Sequence, residues 1–125
     1  MGDRVIFVCQ DHSGECSPGV YMHVGGEGAL DLLQEAASQM RANDIGNAAA
    51  GLCGFICSII PDAAATGYVS LLDPPQRSID GFIDWDMYSP GDAGVVVINV
   101  DDGSVTCHAG YLAGQTLDDL PLADT

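Results

Sequence analysis

Cys9, His12 and Cys16 stand within eight residues of one another, and Cys107 precedes His108 much later in the chain. Thiolate and neutral imidazole are good zinc ligands. A strand over residues 4–10, however, turns Cys9 inward and does not include His12. No Cys-x-x-Cys pair completes a tetrahedral set, so buried or surface thiols are the simpler reading and no metal is expected. Cys53 and Cys57 share one face of a helix at i, i+4, a spacing poorly suited to a disulfide. Core packing accounts for them.

Asp80, Asp84 and Asp86 surround Trp85. Their oxygens would suit Mg²⁺ or Ca²⁺, but the spacing is not that of a calcium loop. The better functional reading is an acidic interaction loop with Trp85 and Tyr88 as aromatic anchors, since aromatic residues are enriched at binding hot spots. The simpler alternative has Phe82 and Trp85 plugging the core while the aspartates face water. Gly25-Gly26-Glu27-Gly28 has the look of a phosphate-binding turn but carries a Glu and lacks a following Lys-Ser/Thr. No Gly-x-Ser-x-Gly occurs, and His12, His23 and His108 have no recognisable catalytic partners. The sequence contains no lysine, which rules out lysine-base and Schiff-base chemistry. No catalytic residue and no cofactor are expected.

The elements that must position these residues are legible from periodicity. Val95-Val96-Val97-Ile98 is a run of β-branched residues that favours a buried strand. Asp102-Gly103 supplies a hairpin turn, and Val105 and Cys107 then alternate with Thr106 and His108. The pair reads as a central strand beside one nearer the edge. Residues 4–10 and 19–24 form an N-terminal hairpin with a long connection, and 68–72 a further short strand. Leu30, Leu33, Ala37 and Met40 make an apolar stripe on a helix over 29–42. A second helix, 45–60, is apolar nearly all round and therefore buried. Residues 76–90 read as a long loop. The expected fold is α+β: a mainly antiparallel sheet of about four to five strands with two helices packed on one face. One domain spans residues 1–114, and 115–125 forms a loosely attached acidic tail.

With 125 residues and a hydrophobic fraction of 47%, the chain can bury about two-thirds of its unfolded surface as one domain. Eighteen acidic residues face three arginines (Arg4, Arg41, Arg77), giving a net charge of −15. Such a field repels nucleic acid and anionic membrane and steers the molecule toward basic surfaces. Salt adaptation is the bland explanation; occupation of a basic nucleic-acid-binding surface on another protein is the sharp one. Residues 48–60, the longest apolar stretch, contain two glycines and are too short to span a bilayer. No leader pattern is visible at the N-terminus, and the expectation is a soluble cytoplasmic protein.

Five cysteines leave at least one thiol unpaired within the chain. Cys16, in the polar stretch Ser13-Gly14-Glu15-Cys16-Ser17-Pro18, is the one expected to be exposed, and a homodimer bridged Cys16 to Cys16 follows as a specific hypothesis.

The small size, strong acidity, absence of a catalytic motif and Ala/Gly/Asp-rich, lysine-free composition resemble those of phage- or prophage-encoded anti-CRISPR proteins, in particular inhibitors of type I Cascade complexes of the I-C group. The likeness covers the character of the whole chain and supplies no motif, so no family site residue is carried over. It implies a stoichiometric inhibitor in the cytoplasm of a GC-rich bacterial host. Such an inhibitor would present aspartates to the basic Cascade surface that reads the PAM or holds target DNA. Taken with the charge, the expected partner-binding residues are Asp80, Asp84, Trp85, Asp86, Tyr88, Asp101 and Asp102. The rival classes are a small metal- or thiol-dependent enzyme using Cys9, His12, Cys16 or the Asp84/Asp86 pair, and an acidic or halophilic housekeeping domain.

Overall fold

The computed structural model describes residues 3–11, 13–23, 28–31, 33, 69–99 and 104–117. Within them the fold is α+β. Six strands run β1 (Val5–Gln10), β2 (Gly19–Met22), β3 (Val69–Leu72), β4 (Gly94–Asn99), β5 (Val105–His108) and β6 (Thr116–Leu117). They form one sheet in the order β3-β2-β1-β4-β5-β6. Four of the five pairings are antiparallel, as expected from the hairpin signals.

The fifth pairing departs from the expected hairpin pattern. β1 and β4, far apart in sequence, pair parallel in full register from Val5↔Gly94 to Gln10↔Asn99. Neither carries a polar side chain before its last residue, Gln10 or Asn99, and all residues but that last one are buried. That is the pattern of strands covered on both faces. β5 is buried at Val105 and Cys107 and exposed at Thr106, as its alternation predicts. The strand count exceeds the expected four to five. β6, only two residues long, pairs with β5 within the segment expected to hang loosely from residue 115.

Residues 28–31 and 33 have helical backbone, and Ala29 and Leu33, four apart, are both buried. The rest of the expected helix over 29–42, the helix over 45–60 and the acidic pair Asp101/Asp102 lie outside the described residues.

Two local devices align the sheet's centre. The Arg4 backbone N–H and its Nε both donate to the same Asp92 carboxylate oxygen at 3.0 Å, and Ala93 N–H returns a bond to the Arg4 carbonyl. The Arg4 guanidinium holds the Asp92 carboxyl below the usual carboxylate range. Gly94, with φ +101°, lies against the backbone of His108 and Gly110, where a side chain has no room.

The strand register sorts side chains onto two faces. Val5, Phe7, Cys9, Val20, Val96, Ile98, Val105 and Cys107 share one face, and all are buried. Ile6, Val8, Val95 and Val97 form the core of the other, with Thr106 and His108 continuing it onto β5. The candidate site sits on this second face. None of the helices among the described residues is long and apolar enough to cross a membrane.

A candidate partner-docking surface

The segment between β3 and β4 is not a plain loop. Arg77 and Ile83 form an isolated antiparallel bridge, and Ser78 N–H donates to Phe82 O at 2.7 Å. Gly81, at φ +85°, closes this tight turn with a bond from its N–H to Ser78 O. A four-residue helix follows, α1 (Trp85–Tyr88). Asp84 caps it by accepting from Met87 N–H at 3.2 Å, and Ser89 N–H ends it on the Trp85 carbonyl. So short a helix has little stability of its own; packing must hold it.

Trp85 and Tyr88, at i and i+3, supply that packing. Both lie against the Ile6/Val8/Val95/Val97 cluster, and their rings meet edge to face with centroids 6.4 Å apart. Trp85 also stacks on His108 at 5.3 Å. The Tyr88 hydroxyl donates to Asp73 O at 2.6 Å. Burial pushes the Tyr88 phenol up to about 12 and the His108 imidazole below its usual value. The two residues expected as outward aromatic anchors are thus turned onto the sheet.

Other apolar side chains take the outward positions. Ile79 is fully exposed, Met87 is 84% exposed and Phe82 75%. Asp80, Asp84 and Asp86, between and beside them, are exposed as well. Three large apolar groups thus stand mostly in water within nine residues, interleaved with carboxylates. The sequence signal was present in Ile79 and Phe82 flanking Asp80-Gly81, but periodicity could not say which aromatic would turn inward.

Open clefts lie on either side of the segment. One of about 390 Å³ is bounded by Arg77, Phe82, Trp85, Val97, Thr106 and His108. The other, about 330 Å³, runs between Leu72, Pro74, Pro75, Ile83, Met87 and Tyr88. The Arg77 guanidinium donates to the Gly14 carbonyl across the first cleft.

Cys9 and Cys107 are buried, so among the described cysteines Cys16 is the most exposed, as the sequence suggested. It is half-buried, bridged to Gln10 and packed on the same apolar cluster, and its pKa is raised, chiefly by burial. Cys9 lies on the opposite face of the sheet, bonded through its N–H to the buried Ser17 hydroxyl. β1 therefore stands between Cys9 and Cys16 and prevents them from sharing a metal. His12 lies outside the described residues, among which no group of three or more His, Cys, Asp or Glu is placed to hold a metal ion. The Asp84 carboxylate is engaged as a helix cap.

No protein-family model matches the chain, and neither the curated proteins nor the solved structures include a match to it.

Proposed function

We propose that the protein is a non-catalytic acidic binding protein that docks on a basic, nucleic-acid-binding surface of a protein partner. The observation that carries this reading is the exposure of Ile79, Phe82 and Met87 among Asp80, Asp84 and Asp86. Apolar anchors ringed by charge are the anatomy of a binding hot spot with a polar rim. The net charge of −15 speeds encounter with a cationic partner and disfavours nucleic acid itself. Trp85 and Tyr88 act here as the base that holds the segment out.

The specific form of the proposal follows the anti-CRISPR resemblance: the partner is a type I Cascade complex, and docking excludes target DNA. The test is target-DNA binding by purified type I-C Cascade with and without the protein, across a salt series. Loss of DNA binding at near-stoichiometric protein, weakening as salt rises, is the expected result. Undisturbed DNA binding with no complex formed would remove Cascade as the partner.

A further inference from the structure

We infer that the docking surface is composite: residues 11 and 13–16 and the 77–88 segment form one rigid unit, and Arg77 is the residue that positions them. The inference rests on the docking reading for its purpose but on separate contacts for its geometry.

Residues 11 and 13–16 are themselves locally locked. The Asp11 carboxylate accepts from Ser13 N–H at 2.9 Å, from the Ser13 hydroxyl and from Glu15 N–H at 3.2 Å. Gly14 N–H donates to Asp11 O, and Asp11 N–H to Glu15 O. This leaves the Gly14 carbonyl facing the 77–83 turn, where it accepts from Arg77, from the Gln10 amide and from the Cys16 thiol. Arg77 sits at the base of the turn that carries Ile79 and Phe82, in its bridge to Ile83. Glu15 on one side and Asp80 on the other are both exposed. One guanidinium thus joins two acidic loops.

Arg77 is a positive charge inside a surface proposed to meet a positive partner. Electrostatics alone disfavours it there; a structural clamp explains it. A guanidinium is suited to that task because its planar fork is pre-organised and always charged. Gly14 suits the device: its φ of +85° disfavours a side chain, and a Cβ there would push the Arg77 guanidinium aside.

The test compares wild type with Arg77→Gln, Gly14→Ala, the double variant and Arg77→Lys. Amide hydrogen exchange on the free protein reads the clamp without any partner. Loss of a charge-assisted hydrogen bond should speed exchange about tenfold at Ser78, Gly81 and Gly14 together. The double variant should exchange no faster than Gly14→Ala alone, and Arg77→Lys should recover part of the protection. Unchanged protection at Ser78 and Gly81 in Arg77→Gln, or fully additive effects, would overturn the inference.

Inhibition of type I-C Cascade supplies a second readout with opposite signs. Arg77→Gln makes the protein more acidic, so charge alone strengthens inhibition; a lost clamp weakens it by about tenfold, the factor one such hydrogen bond carries. Equal or stronger inhibition would also overturn the inference. A wild type that fails to inhibit Cascade removes that target from the docking reading, while the exchange data still decide the clamp.

Discussion

The indole of Trp85 lies nearly parallel to the imidazole of His108, with ring centroids 5.3 Å apart and 17° between the planes. This contact joins the short helix α1 to β5, and the Ser89 hydroxyl reinforces it by donating to the Ala109 carbonyl at 2.6 Å. It fixes which side of α1 meets the protein. Trp85 and Tyr88 point in, so Asp86 and Met87 point out.

Trp85→Ala should therefore destabilise the fold while Phe82→Ala does not. Trp85 is half-buried, so its loss should cost about 2 kcal/mol, below the ~3–5 of a fully buried large aromatic. Phe82→Ala should stay within about 0.5 kcal/mol, as for most exposed sites. Urea unfolding followed by circular dichroism separates them. Equal losses would mean that Phe82 packs as Trp85 does.

Stability should fall as the pH is lowered through the histidine range. Burial depresses the His108 pKa in the fold, so the unfolded chain binds more protons as pH drops. The contribution is fully present above the unfolded value of about 6.5 and is lost as pH falls through the lower folded value. Thermal unfolding between pH 8 and 5 should show a larger decline for wild type than for His108→Gln. Parallel curves would assign the decline elsewhere.

Tyr88 works in the opposite direction. Its phenol is raised from 10.0 to about 12, so the fold favours the neutral form, and that stability is present below pH ~10 and lost as pH climbs toward the folded value. Spectrophotometric titration should show a late-ionising tyrosine, and Tyr88→Phe should remove that step. The same variant deletes the bond to Asp73 O at a cost of about 1 kcal/mol.

Cys16 should react slowly. Its raised pKa and packing on the cluster keep thiolate scarce, and thiolate is the nucleophile. Under non-reducing electrophoresis both wild type and Cys16→Ser should run as monomers. A dimer band in wild type that the serine variant lacks would contradict this and support the Cys16–Cys16 bridge.

The α+β class and the two hairpins were legible because β-branched runs and alternation are local signals. Val95–Ile98 announced a central strand and Val105–His108 a half-covered one. The parallel β1–β4 pairing was not legible, since nothing local in Val5–Gln10 names a partner some ninety residues away. β6 was too short to register against the loop-like composition around Gln115. At the site, the sequence located the acidic loop but named Trp85 and Tyr88 as its outward anchors, with an inward Trp85 only as the simpler alternative. Trp85 and Tyr88 carry the larger rings, yet their i, i+3 spacing on a helix capped by Asp84 turns them onto the sheet. Ile79 and Phe82, in the turn closed by Gly81, are left outside. Arg77 was invisible as a clamp because its acceptor is a backbone carbonyl.

Substituting Phe82 by aspartate and measuring inhibition of Cascade target-DNA binding at constant salt separates an apolar anchor from bulk acidity. Phe82→Asp adds one more negative charge at an exposed site and should leave the circular dichroism spectrum unchanged. Docking through Ile79, Phe82 and Met87 requires inhibition to weaken by about thirtyfold, the ~2 kcal/mol typical of a hot-spot residue. Inhibition that stays equal or grows stronger would contradict it, leaving charge alone as the basis of binding.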